Sequence, residues 1–237
     1  MLSEPVPSKN QQLSNWQSAL SNANVYVLGS SVTGQSVIRN LYKAGARKIS
    51  LLNVDMPGSQ NFSPGDAAAP AISDEFCQKI DVDWTVANIE KFVRQSDIVI
   101  DTLSDWQKKV TLSDICMDCD KVLIHSGITG FRFQIYTMIP GRSACLRCAF
   151  PLAGIDEVPL KPSIEPTVDA VIELVDAWQS LEAIKYLGKI GVVQGNELFK
   201  FDCLSGEFEV IRGLDANPDC PDCGRKLNKR LRSSFLF

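Results

Sequence analysis

The sequence predicts an α/β protein with a mostly parallel sheet flanked by helices, antiparallel strands toward its C-terminus and a structural zinc site. Three observations predict it. Residues 24–55, NVYVLGSSVTGQSVIRNLYKAGARKISLLNVD, read as strand, tight loop, amphipathic helix and strand, and a right-handed crossover makes the two strands parallel. The apolar runs VYVL and DIVI are continuous rather than alternating, as in strands buried on both faces. Two C-x-x-C pairs, Cys145/Cys148 and Cys220/Cys223, each present two thiols at the spacing of a zinc knuckle.

Residues 11–22 carry helical spacing, and VYVLG follows as the first strand. QSVIRNLYKAG places Val37, Ile38, Leu41 and Tyr42 on one stripe of a helix that Gly45 ends. KISLLNVD is the second strand. MPGSQNFSPGDAAAPA, with its prolines and glycines, reads as a surface loop. VDWTV is expected as a short strand, NIEKFVRQ as a helix, and SDIVIDTLSD as a third buried strand ending in acids. TLSDICMDCD is a crossover helix whose Cys116 and Cys119 serve as small core residues. KVLIHSGI and FRFQIYTMIP are further strands, the second with the period-two alternation of an antiparallel pair. TVDAVIELVDAWQSLEAIKYLG is the longest helix, apolar at Val171, Ile172, Val175, Trp178, Leu181 and Ile184, and NELFKFDCLSGEFEVIRG is a hairpin around Ser205-Gly206. Together these give a Rossmann-like fold in a single domain, 1–237. It comprises an N-terminal helical extension (1–23), a nucleotide-binding βαβ core (24–135) and a zinc-pinned C-terminal part (136–237).

Composition narrows the function classes. The 24 Lys+Arg against 28 Asp+Glu give a net charge of −4, so no basic field attracts a phosphate backbone or anionic lipid. Nucleic acid and membrane are not expected partners. No apolar run approaches the ~20 residues that span a bilayer, and the first residues lack a signal-peptide layout; a cytoplasmic location is expected. Eight cysteines in such a chain are expected to be reduced or metal-bound. Two knuckles complete a tetrahedral site, and their long separation makes the metal a clip for the C-terminal segment. Cys77 and Cys203 are isolated and the sole His125 ends an apolar run, so no nucleophile is assigned.

The strand and Gly-rich turn, AGARKISLLNVD, a strand ending DTLSD, GRSACLRCAFP, a long helix ending LEAIKYL, and CPDCG together resemble the ThiF/MoeB-type superfamily of ubiquitin-activating-like enzymes. The resemblance spans residues 24–224. It implies MgATP-dependent adenylation of a carboxylate, the C-terminus of a carrier protein or peptide or a small acid, in a dimer that is homo- or heteromeric. It also implies site residues. Gly29 and Gly34 fall on the first and last glycines of the nucleotide loop and Ser31 on the middle one. Asp55 falls on the acid that holds the ribose, Asn61 on the family's catalytic Asn, and Asp105 on the Mg²⁺ ligand, with Asp101 opening the same motif. Lys79 is the nearby candidate for the phosphate-binding lysine.

The chain departs from that pattern in several places. Ser31 adds a Cβ where backbone approaches phosphate closely. NFSPGDAAAP has no Arg after Asn61, Trp106 replaces the Asn that follows the Mg²⁺ ligand, and no cysteine lies between Cys148 and Cys203 to form a thioester. Three readings follow. The first is an adenylyltransferase without a thioester step. The second is a catalytically degenerate partner or peptide-binding subunit of an active relative, since SSVTG is similar to the glycine-poor loops of non-adenylating halves. The third is an NAD(P)-dependent oxidoreductase, for which Asp55 equally suits the ribose.

Overall fold

The computed structural model describes residues 9–29, 32–54, 73–150 and 168–227. In chain order it has α1 (Lys9–Asn22), β1 (Asn24–Leu28), α2 (Val32–Ala44), β2 (Lys48–Asn53), β3 (Gln78–Asp81), α3 (Val86–Gln95), β4 (Ile98–Asp101) and α4 (Trp106–Asp118). It continues with β5 (Val122–Thr129), β6 (Arg132–Met138), α5 (Leu146–Ala149), α6 (Asp169–Gly188), β7 (Glu197–Asp202) and β8 (Phe208–Arg212). All eight strands form one sheet in the order β3-β2-β1-β4-β5-β6-β7-β8. The first five pair in parallel, and β6, β7 and β8 are added antiparallel. Residue 135, where the sequence reading divides the chain, lies inside β6 (Arg132–Met138), and the strands on both sides of it share one continuous sheet.

The continuous apolar strands are buried on both faces because the pleat sends alternate residues to opposite helix layers. Val25, Val27, Ile98 and Ile100 pack with Leu20, Val37, Ile38, Leu41 and Ala183 from α1, α2 and α6. Tyr26, Leu28, Val99 and Leu123 pack with Ile89, Val93, Leu112, Ile115 and Leu146 from α3, α4 and α5. Cys116 is fully buried in this second layer, in the small-core role its helix predicts.

Strand order reverses between β1 and β4, and in open parallel sheets the crevice beyond that reversal is where ligands bind. Two glycines shape it. Gly29 has φ +141° and its missing Cβ would lie 2.4 Å from Thr102 Oγ1 and 2.8 Å from the Thr102 carbonyl oxygen. Gly34, inside α2, would bring a Cβ to 3.1 Å from the same hydroxyl. Thr102 is itself tied across the crevice, both its backbone N–H and its hydroxyl donating to the Leu28 carbonyl. Close packing of β1, α2 and the end of β4 thus requires these glycines. We expect Gly29→Ala to lower unfolding free energy by on the order of 2 kcal/mol, from backbone strain plus the clash, measured by urea denaturation.

Two expectations are corrected. VDWTV is not a strand: the edge strand β3 lies earlier, at Gln78–Asp81, and Thr85 caps α3 by accepting from the Asn88 N–H at 3.2 Å. A residue whose hydroxyl starts a helix leaves its segment as the connection. In α6 the apolar stripe does not define the buried face. Leu181 is 56% exposed whereas Asp176, Gln179, Ser180 and Glu182 are buried. The helix is flanked by α1 and α2 as well as by the sheet, so its polar face is enclosed. Its outer edge, with Leu174, Trp178 and Leu181, meets Phe199 and Phe208 in an open apolar groove.

Candidate nucleotide crevice and four-cysteine cluster

The metal-ligand expectation is met by geometry. Cys145, Cys148, Cys220 and Cys223 place all four Sγ atoms within 4.8 Å of one another, with Cys145–Cys220 and Cys148–Cys223 each at 3.8 Å. Tetrahedral thiolates at about 2.3 Å from zinc are separated by about 3.8 Å, so the cluster fits a zinc ion. Each knuckle is locally built. Cys145 caps the short helix α5 that carries Cys148, and the Asp222 N–H points at Cys220 Sγ at 3.4 Å. Gly224 lies where a Cβ would be 2.4 Å from both the Asn217 and Pro218 carbonyl oxygens, which fixes the residue after the second knuckle as glycine.

Around the switch point, Gly29 and Gly34 lie against Thr102, Asp101 ends β4 and Asp105 precedes α4, while Ser31, Asp55 and Asn61 lie outside the described residues. Asp105 is exposed and is the N-cap of α4, accepting from the Lys108 N–H at 2.9 Å. Asp101 is corrected from nucleotide contact to buried hub, because basic groups close beneath the strand end engage its carboxylate completely. It is 0% exposed; Lys109 Nζ donates to its two oxygens at 3.1 and 3.0 Å, His125 Nδ1 to Oδ2 at 2.7 Å, and the Leu103 N–H to Oδ1 at 2.9 Å. Burial opposes its ionisation, but Lys109 and His125 overcome that and hold the carboxyl below its ordinary range. Burial likewise pushes His125 below the usual imidazole value, against the pull of Asp101; a neutral ring donates from Nδ1. Lys79 lies in β3, and its ammonium forms an exposed ion pair with Asp74, which precedes the strand, at 2.9 Å.

The sequence reading missed Lys108 and Lys109. Lys108 Nζ reaches the Val54 carbonyl at the end of β2 at 3.2 Å, passing 5.4 Å from the Trp84 ring, so a cation stands beside the residue that precedes Asp55. A signal was present in DWQKK. Two lysines in the first turn of a helix oppose the macrodipole, and such placement requires acceptors outside the helix. Trp106 packs edge-on against His125 and Phe150, at 5.7 and 5.4 Å between ring centroids.

This combination of a glycine-packed turn at the switch point, an acid-capped helix after the fourth strand and a four-cysteine cluster is that of a Rossmann-like α/β protein. The ThiF family pattern matches residues 68–222, and the chain belongs to the ThiF family. It is 26% identical over 227 residues to the adenylyltransferase and sulfurtransferase MOCS3 of Bos taurus, covering 89% of this chain and 50% of that protein. It is 26% identical over 225 residues to the SAMP-activating enzyme E1 of Haloferax volcanii, covering 88% and 83% respectively. The chain thus spans about half the length of the MOCS3 relative. Its fold is that of E. coli MccB, whose ATP complex superposes with a TM-score of 0.71 at 20% identity, over 91% of this chain and 70% of that one. No helix among the described residues is long and apolar enough to cross a membrane.

Proposed function

We propose that this chain adenylates a carboxylate with ATP, the carboxylate being the C-terminus of a carrier protein or peptide or a small acid, without a thioester step. The observation that supports it most is similarity to an adenylyltransferase and to a carrier-activating enzyme across most of this chain. Gly29 lets the chain turn from β1 against Thr102, and a helix start such as that of α2 is where N–H groups can meet an anion. ATP would supply the leaving pyrophosphate; Mg²⁺ would be held by Asp105 and Asp55 would orient the ribose, with Asn61 and Ser31 beside them. Lys108 adds a cation at the rim that offsets phosphate charge. In the same proposal zinc is structural, bound by the four cysteines, and the assembly is a dimer, read by sedimentation velocity at micromolar concentration.

The test is carboxylate-dependent exchange of pyrophosphate into ATP, using carrier peptides and small acids. Asp105→Asn keeps the helix cap but removes the charge, so exchange is expected to fall to background while ATP binding and Tm are retained. Lys108→Ala should raise the Kd for ATP about tenfold, the loss of one hydrogen bond to a charged group. The degenerate-partner reading is favoured by one specific finding: Asp101, which opens the motif that the resemblance assigns to Mg²⁺, is buried and engaged by Lys109 and His125. A wild type that binds no ATP, alone or with an active relative, would establish that reading instead.

A further inference from the structure

Asp176 lies on the face of α6 that packs against α2, and it is 0% exposed. Neither carboxylate oxygen has a hydrogen-bond partner, and Gln179 Oε1, three residues along the same helix face, is buried and unpartnered too. The orientation of the Gln179 amide is fixed. Its Nε2 donates to the carbonyls of Asp101 and Ile124 at 2.9 and 3.3 Å, and carbonyls only accept. The interface therefore sets three buried acceptor atoms together without a hydrogen bond to any of them, an arrangement that is costly for an ionised carboxylate. The Ser36 hydroxyl on α2 faces the same carboxyl without forming the bond. Among the described residues the charged groups facing it are Glu173 on its own helix and Arg39 on α2; neither pairs with it, and α1 and strands β4 to β6 present none.

A single proton closes this accounting. A protonated Asp176 donates to Gln179 Oε1, and its remaining oxygen accepts from the Ser36 hydroxyl by rotation about one bond. We propose that Asp176 is held as a neutral carboxylic acid linked to Gln179, and that this neutrality keeps the start of α2 receptive to an anion. Desolvation is consistent with that state, pushing the carboxyl up to about 9 against the opposing pull of Ser36. Ser36 is two residues beyond Gly34, so an ionised Asp176 would set a negative charge one turn below the amides that the adenylation reading assigns to triphosphate. It would also leave Gln179, which holds the Asp101 carbonyl, facing a like acceptor. Asp176 is thus a positioning residue for the nucleotide crevice rather than a catalytic one, and the second half of the proposal rests on that reading.

The sign of the linkage is definite. The folded carboxyl binds its proton more tightly than the unfolded one, so its contribution to stability is complete below the ordinary aspartate range and declines as pH rises. The folded-to-unfolded ratio should fall about tenfold per pH unit until about 9. Asp176→Asn, neutral at every pH and able to donate to Gln179, removes that decline, so the difference between the two urea-denaturation profiles isolates the group. Infrared spectra of the wild type at pH 7 should show one protonated carboxylic C=O band that disappears above pH 10. ATP titrations in Mg²⁺ at pH 7 to 10 form the second arm: affinity of the wild type should drop above pH 9 while Asp176→Asn stays level. Parallel stability profiles, or no protonated band in the wild type, overturn the neutral acid, and the infrared arm needs no variant to fold. Equal pH dependence of ATP affinity in both proteins overturns the gating. If neither protein binds ATP at any pH, the adenylation reading falls and takes the gate with it, while the protonated band still decides the state of Asp176.

Discussion

Cys220→Ser is expected to lower Tm by roughly 10 °C and to free residues 214–227 for proteolysis while leaving amide protection in β1, β4 and β5 unchanged. The reason is where the clip sits. The C-terminal segment is laid against the body by three backbone bonds, the Ala144 N–H to the Leu214 carbonyl at 2.8 Å, the Ala216 N–H to the Arg142 carbonyl at 3.2 Å and the Leu214 N–H to the Asn196 carbonyl at 3.1 Å, and by exposed side-chain contacts such as Arg225 with Asp118 and Lys226 with Asp120. Ala216 and Cys223 are core residues on the same side as Cys145 and Leu146, so releasing the second knuckle uncovers apolar surface along α4 and α5. Metal binding free energy in structural zinc sites is folding free energy, on the order of 10 kcal/mol in isolated fingers. Here the sheet retains its own core, so only a share of that, roughly 4 kcal/mol, should register at the global transition. Elemental analysis should find one zinc per wild-type chain and none in the variant. A wild type that is fully folded and metal-free after dialysis would refute the clip.

The parallel half of the fold was legible because its signals are local and mutually consistent. Strands β1, β4 and β5 are continuous apolar runs, Gly29 and Gly34 punctuate a loop that nothing larger fits, and the antiparallel turn at β6 shows as alternation in FRFQIYTM. The cysteine cluster was legible for a related reason. Each knuckle spans four residues, so its chemistry is readable without knowing what brings the two together.

What failed to be legible depended on neighbours distant in sequence. Asp101 and Asp105 are both acids at the end of one strand, and sequence alone assigns them the same kind of role. Their places relative to the strand end decide otherwise. Asp101 is paired with His125 across β4 and β5 and meets Lys109 from the helix above, whereas Asp105 lies past the strand and is exposed. Asp176 shows the same limit. A helical stripe averages over one face, and α6 is enclosed on several sides, so an acid reads as solvent-facing although α2 covers it.

Asp101→Asn is expected to destabilise the protein by about 3–5 kcal/mol, the effect of removing one partner from a buried ion pair. The amide oxygen would still accept from the Leu103 N–H and from Lys109, but Lys109, 5% exposed, would keep its charge with only neutral acceptors, that oxygen and the Ser126 carbonyl at 2.9 Å, to hold it. His125 would also lose the acceptor that orients its ring between Trp106 and Phe150. Against a total stability on the order of 10 kcal/mol that is a large fraction, visible as a shift of the urea midpoint at constant slope. The double variant Asp101→Asn, Lys109→Met should recover most of the loss, since it removes the charge that was stranded rather than restoring the pair. The pH dependence carries a second signature. Asp101 is held below its ordinary value when folded, so its contribution is complete above the unfolded aspartate range, near pH 4, and is lost as pH falls through the lower folded value. His125 works in the same direction from higher pH: its folded ring resists protonation, so stability declines as pH drops below the ordinary imidazole value of about 6.5. The wild type should therefore lose stability in two acid stages, and Asp101→Asn should lack the lower one. Equal acid sensitivity in the two proteins, or a double variant no more stable than the single one, would show that the hub is not a coupled charge network.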